Sequence, residues 1–275
     1  MTTTPALPLA GWRVLVPRPA AGRSPAVVAL AAAGAEAVVV PLIETVPPED
    51  PTELDDALLA LESGWYGWLV LTSAAAVPVL VDRAQATAGG LAQLLADGHV
   101  RVAAVGPGTA RTLRDVGVEP ALVPRGASTS RALVDAWPEP TEPARVLFPR
   151  GDLAATTVTD GLRQRGWDVT DVVAYRTVPA APPPAEVRES WSDGTIRAAL
   201  LTSASTVREL AARLGPPPTS TFLIGIGPST AAEAARLGLP LAGVATEQTM
   251  LGMVDALTRA ATTVLSAPAT SPEEL

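Results

Sequence analysis

The sequence predicts an α/β protein built from two similar doubly wound parallel-sheet domains. Three observations carry that expectation. Short β-rich runs alternate with alanine-rich helical stretches almost throughout. Most of the β-rich runs are continuously apolar, the pattern of parallel strands covered on both faces. The chain is also written twice: Arg13–Pro47 aligns without a gap on Arg145–Pro179, sharing RVL-PR at the front, a glycine in the middle (Gly34, Gly166) and TVP at the end. The echo continues, with WLVLTSAAAV (Trp68–Val77) answering AALLTSASTV (Ala198–Val207) and AAVGPGTARTLRDVGV answering LIGIGPSTAAEAARLGL. A repeat of this length implies two facing domains with a ligand cleft between them.

In chain order, strands are expected at Arg13–Pro17, Ala37–Ile43, Trp68–Thr72, Arg101–Val105, Ala121–Val123, Arg145–Phe148, Val169–Tyr175, Ala198–Leu201, Thr221–Ile226 and Leu241–Val244. Helices lie between them, as at Pro25–Ala33, Pro107–Val116, Thr156–Arg165 and Pro228–Leu237. These stop at Gly34, Gly117, Gly166 and Gly238, since glycine tolerates the left-handed helix stop. The acidic stretch Glu49–Asp56 reads as the exposed start of another helix, favoured there by charge. Proline-rich breaks at Pro47–Pro51, Pro138–Pro143 and Pro179–Pro184 are stiff connectors. The first and third leave equivalent strands of the repeat, where the chain is expected to cross between domains. The residues from Ser266 onward read as a disordered tail.

Composition narrows the chemistry. With 275 residues and 48% apolar content, the chain has enough material for two cores. A net charge of -8 argues against nucleic acid and against an anionic membrane surface as partners. There is no cysteine, one histidine (His99), and no lysine, all 20 basic residues being arginine. Thiolate metal sites, cysteine nucleophiles, histidine-rich metal sites, Schiff bases and Walker loops are therefore excluded. Gly106-x-Gly108 and Gly225-x-Gly227 lack the full dinucleotide-binding glycine spacing. The N-terminus has neither a charged region nor an apolar stretch of a secretion signal, and no run is long enough to span a membrane, so a cytoplasmic location is expected.

Polar residues gather at turns that follow a strand and precede a helix: Thr72-Ser73, Thr109, Thr202-Ser203 and Ser229-Thr230. In parallel α/β sheets that edge binds ligands, and helix N-termini with hydroxyl side chains can hold carboxylates or phosphates without a basic protein. Each hydroxyl equally suits an ordinary helix N-cap. Arg18 and Arg150 occupy the same repeat position at strand ends, followed by Arg23 and Gly151, and suit bidentate carboxylate recognition or pairing with nearby acids such as Asp152. Asp152 itself is a candidate helix cap. Tyr175 stands where the first copy has Ile43; its phenol is a candidate general acid or a structural tyrosine.

These motifs resemble the uroporphyrinogen-III synthase family from about Gly11 to Ala261. The carriers are VLVPRP, Pro41-Leu42-Ile43, LVLTSAAAV, AAVGPGTARTLRDVGV, VLFPRGD, DVVAYRTVP, LLTSAST and IGIGPSTAAEAARLGLP. The resemblance implies a discontinuous domain (1–40 plus 180–262), a continuous one (48–172), and a two-stranded hinge (about 41–47 and 173–179), with 263–275 as the tail. The residues alone would equally allow two sequential domains. It implies a monomeric, cofactor-independent lyase of tetrapyrrole synthesis that closes hydroxymethylbilane with inversion of ring D and loss of water. A transient contact with the preceding pathway enzyme is a further expectation. By motif, Tyr175 matches the family tyrosine associated with hydroxyl loss. Ser229 and Thr230, with Thr109, match the paired GPTT-type turns, and Thr72, Ser73 and Ser203 match strand-end hydroxyls. The arginine of the family's RGxxGR pattern is absent after Gly151, which removes a second clamp there. The residues themselves leave open a non-catalytic two-lobed binder of a polycarboxylate, or a nucleotide-dependent transferase lacking its phosphate loop.

Overall fold

The computed structural model describes residues 7–18, 24–87, 89–96, 98–140, 142 and 144–266. The chain divides into two compact units, Met1–Glu44 with Pro179–Leu275, and Thr45–Val178.

The first unit carries β1 (Arg13–Val16), α1 (Pro25–Ala32), β2 (Glu36–Val39), and the start of β3 (Ile43–Val46). After an excursion through the second unit, it resumes with α8 (Ala185–Ser192), β8 (Ile196–Leu201), α9 (Ala204–Leu214), β9 (Phe222–Gly225), α10 (Pro228–Arg236), β10 (Gly243–Val244) and α11 (Met250–Ser266). Its sheet runs β10-β9-β8-β1-β2, all pairs parallel. Side chains alternate between two cores. Val14, Val16, Ala198 and Leu200 face α1 and α11, whereas Leu15, Ala199, Leu201 and Leu223 face α8, α9 and α10. That double coverage is why the strands read as unbroken apolar runs.

The second unit holds α2 (Thr52–Glu62), β4 (Trp68–Leu71), α3 (Ala76–Thr87), α4 (Leu91–Leu94), β5 (Arg101–Ala104), α5 (Pro107–Asp115), α6 (Ser130–Asp135), β6 (Arg145–Gly151), α7 (Thr157–Gln164) and β7 (Asp168–Pro179). Its sheet runs β3-β7-β6-β4-β5. Helices again cover both faces: Trp68, Val70, Val146 and Phe148 pack with α6 and α7, while Leu69, Leu71 and Leu147 pack with α2, α3 and α5.

The repeat explains both orders. β6 and β7 correspond to β1 and β2, and β4 and β5 to β8 and β9. Each sheet therefore combines the opening strand pair of one copy with the later strands of the other. The chain passes between the units within β3 and within β7, which are neighbours in one sheet.

Four expectations are revised. The strand expected at Ala37–Ile43 is two, β2 and β3, interrupted at Val40-Pro41-Leu42; Pro41 has no N–H to give a ladder. The strand expected at Ala121–Val123, enclosed by Pro120 and Pro124, is a single parallel bridge, Ala103 to Leu122. The strand expected at Leu241–Val244 shrinks to Gly243–Val244 after Pro240. α11 continues to Ser266 rather than yielding to a tail at 263. The Thr263 hydroxyl donates to the Arg259 carbonyl one turn back, which suits a continuing helix. Residues 267–275 of the expected tail lie outside the described residues.

Candidate active site

In each sheet the strand order reverses beside the first strand of the doubly wound pattern, between β1 and β8 in the first unit and between β4 and β6 in the second. Loops leaving the carboxyl ends of such strands diverge and open a crevice, which is where ligands bind in this class. The predicted residues fall at these points, within each unit.

In the second unit, Tyr175, Gly151 and Ser73 are brought together. β6 and β7 run in register until an irregularity between Arg150 and Gly151, after which Gly151 lies opposite Tyr175. The tyrosine is 9% exposed. A β-carbon on Gly151 would lie 2.8 Å from Tyr175 Cζ and 2.9 Å from its hydroxyl, so the ring occupies the space a side chain would need. Burial pushes the phenol above its ordinary range; a hydrogen bond with the Ser73 hydroxyl pulls it back, and the Asp152 carboxylate pushes it up further. Ser73 Oγ also accepts from Ala75 N–H at 3.2 Å.

Asp152 is not a helix cap. α7 begins at Thr157, and Asp152 Oδ1 instead accepts from Thr177 N–H at 3.0 Å. Arg150 is tied to the neighbouring strand: its Nε donates to Asp171 Oδ2 at 2.7 Å, and its Nη1 to the Gly151 carbonyl at 3.2 Å. Of the two roles the sequence left open for Arg150, the pairing role is the one occupied, with Asp171 as the acid. Thr72 is half-buried beside Ser73. Thr109 is buried in the first turn of α5, behind Gly106. Gly106 packs so tightly on Ser128 that a β-carbon would overlap it.

In the first unit, Arg18 Nη1 donates to the buried Ser24 Oγ at 3.0 Å, and among the described residues it forms no ion pair. Arg23 lies outside the described residues. Thr202 is half-buried. Ser203 is engaged as the N-cap of α9: its hydroxyl accepts from Thr206 N–H at 3.1 Å while Thr206 Oγ1 accepts from Ser203 N–H at 2.9 Å, a reciprocal capping box. Ser229 is exposed in the first turn of α10. Thr230, in the same turn, is fully buried, and its Oγ1 has no hydrogen-bond partner. A buried hydroxyl left unpaired at a helix N-terminus is costly and is a natural place for an anionic group to bind. Gly227 before it packs on the Gln248 amide, whose atoms lie 3.0 Å from where a β-carbon would be.

Sequence reasoning missed the contribution of Gln248, which lies 21 residues along the chain from the glycine it packs on. It named Asp152 but not its partner. The repeat held the signal there, since Ala20 stands at the matching position. Among the described residues no group of His, Asp and Glu side chains is arranged to hold a metal ion. No described helix is long and apolar enough to cross a membrane.

Fold and site define a duplicated parallel α/β protein whose strand-end turns present hydroxyls, backbone N–H groups and one buried phenol. A family model described as uroporphyrinogen-III synthase HemD matches residues 24–255. A uroporphyrinogen-III synthase from Synechococcus elongatus is 30% identical over 202 residues, 73% of this chain and 74% of that one. A porphyrin biosynthesis protein HemD from Ruminiclostridium josui is 28% identical over 251 residues; these are 91% of this chain but 49% of the relative, so the chain spans about half of its length. Two solved structures share the fold. A mutant uroporphyrinogen III synthase from the extremely thermophilic bacterium Thermus thermophilus has a TM-score of 0.60 at 20% identity, covering 92% of this chain and 99% of that one. A uroporphyrinogen-III synthetase from Helicobacter pylori has a TM-score of 0.54 at 15% identity, covering 90% and 99%. The chain belongs to the uroporphyrinogen-III synthase family.

Proposed function

We propose that this chain is a cofactor-independent lyase that closes hydroxymethylbilane into uroporphyrinogen III, inverting ring D and releasing one water. The observation that carries this reading is the Tyr175 phenol, buried at the end of its strand in the space that Gly151 leaves open.

In this reading the phenol gives its proton to the departing hydroxyl of the substrate. The C–O bond breaks as the pyrrole nitrogen supplies its electron pair, leaving an azafulvene and water. The substituted α-carbon of ring D attacks the exposed methylene carbon and forms a spiro intermediate. Bond cleavage and re-formation at the other α-carbon invert the ring. Loss of a proton from that carbon restores the aromatic pyrrole and returns a proton to the phenolate, so one water is the only net loss. Unguided closure leaves ring D unturned, so the protein's main contribution is holding the flexible chain in the conformation that reaches the substituted carbon.

Carboxylate groups of the substrate would be received by the helix N-termini and hydroxyls of each unit, Thr109 in one, Ser229 and Thr230 in the other. Arg18, which has no carboxylate partner among the described residues, supplies a charged donor in the first unit. These uncharged or local donors suit a chain whose net charge of -8 cannot attract a polyanion globally.

Incubation of the purified chain with hydroxymethylbilane, followed by oxidation and chromatographic separation of the isomers, tests the reading. The III isomer should dominate. Only the I isomer, formed at the rate seen in buffer, would point instead to a non-catalytic binder.

A further inference from the structure

The loop after β6 does more than border the phenol. Asp152 grips the strand that carries Tyr175 from both sides: its backbone N–H donates to the Tyr175 carbonyl at 3.0 Å, and its Oδ1 accepts from Thr177 N–H at 3.0 Å. Gly151, one residue earlier, leaves the gap the ring fills. The internal repeat adds a second observation. Where the second copy has Gly151, Asp152 and Tyr175, the first has Pro19, Ala20 and Ile43. The glycine, the carboxylate and the phenol are all present in one copy of the sequence and all replaced in the other, as parts of a single device would be.

We infer that Asp152 is a positioning residue for Tyr175, clamping the Tyr175-Arg176-Thr177 segment through backbone hydrogen bonds so that the ring stays seated over Gly151. The inference rests on the reading of Tyr175 as the proton donor. Asp152 is exposed, so its bonds are not needed to fill a core, and its removal acts on the placement of the strand end. The other charged side chains at this strand are engaged elsewhere: Arg150 with Asp171, and Arg176 with Glu49 at 2.6 Å. The Asp152 carboxylate is thus the charge that bears on the phenol, pushing its titration up.

The anchor and the charge can be separated. Asp152→Asn keeps an oxygen that can accept from Thr177 N–H but removes the charge; Asp152→Ala removes both. Turnover of hydroxymethylbilane should fall roughly tenfold in kcat for Asp152→Ala with KM little changed, a part of the ~100-fold or more that a positioned acid contributes. Asp152→Asn should recover most of that loss. The phenol reports independently. The chain has only two tyrosines, Tyr66 and Tyr175, so ring-labelled tyrosine followed by NMR, with Tyr66→Phe for assignment, resolves the Tyr175 titration. Its midpoint should drop in both variants, because both lose the carboxylate.

Parent-like kcat in Asp152→Ala, a kcat in Asp152→Asn as low as in Asp152→Ala, or an unmoved Tyr175 midpoint would each overturn the inference. Tyr175→Phe is assayed alongside. Full activity in that variant removes the proton-donor reading itself, whereas impaired Tyr175→Phe with unimpaired Asp152→Ala removes only the clamp.

Discussion

The two Thr-Ser turns of this chain begin alike and end in different work. In the first unit Ser203 is absorbed into the helix that follows, locked in a reciprocal cap with Thr206. In the second, the residue at the position of Thr206 is Ala76, which has no hydroxyl to close the box. α3 accordingly starts at Ala76, two residues later in the repeat than α9, which starts at Ala204. Ser73 is left to bond Ala75 N–H and the Tyr175 phenol. One methyl in place of a hydroxyl-bearing side chain thus separates a serine locked in a reciprocal cap from one that is not. The lesson is that two copies of one turn diverge when one of them loses its capping partner.

The largest expected effect comes from breaking the unit that holds the phenol. Gly151→Ala should lower formation of uroporphyrinogen III by about 100-fold, since the new methyl displaces the Tyr175 ring. The corresponding pressure in the first unit, Gly227→Ala, meets only the flexible end of Gln248, and turnover should fall far less. The serines sharpen the contrast. Ser73→Ala should reduce kcat roughly tenfold with little change in urea unfolding, and should raise the Tyr175 titration further by removing the bond that lowers it. Ser203→Ala should do the reverse, costing about 1 kcal/mol of unfolding free energy as a lost cap while leaving turnover near the parent value.

A smaller effect concerns alkaline pH. The Tyr175 phenol titrates above its ordinary 10.0 in the folded chain, so the folded state binds more protons than the unfolded one above that pH. Its contribution to stability is complete below pH 10 and is lost as pH rises through the folded value. Unfolding titrations should therefore show an alkaline decline that is shallower in Tyr175→Phe.

The smallest effect lies in the first unit. Hydrogen bonds from Arg236 and Arg208 hold Glu233 down from 4.5 to about 2. Its contribution is present above pH 4.5 and lost as pH falls toward 2. Glu233→Gln should flatten that acid limb without touching turnover.

Much of this was legible because parallel strands buried on both faces leave an unbroken apolar record, as at Trp68–Leu71 and Ile196–Leu201, and because the repeat fixes equivalent positions. Prolines hid what was not. Pro41 splits one apolar run into two strands, and Pro120 and Pro124 reduce another to a single bridge. At the site, the exceptional tyrosine could be found by comparing copies, and so could its glycine and aspartate. The fate of Arg150 could not. Its partner Asp171 lies 21 residues away on the adjacent strand, and only the β6–β7 register brings them together. The unpaired Thr230 hydroxyl was equally hidden, because a buried orphan and a satisfied cap share one sequence pattern.

The central claim is that the second unit supplies the proton for loss of the substrate's hydroxyl through Tyr175. Single-turnover conversion of hydroxymethylbilane by Tyr175→Phe, beside the parent chain, measures it most directly. A fall of about 100-fold in the rate of uroporphyrinogen III formation, with unchanged thermal unfolding at neutral pH, is the result this account predicts. A rate equal to the parent's, with the III isomer still formed, would contradict it.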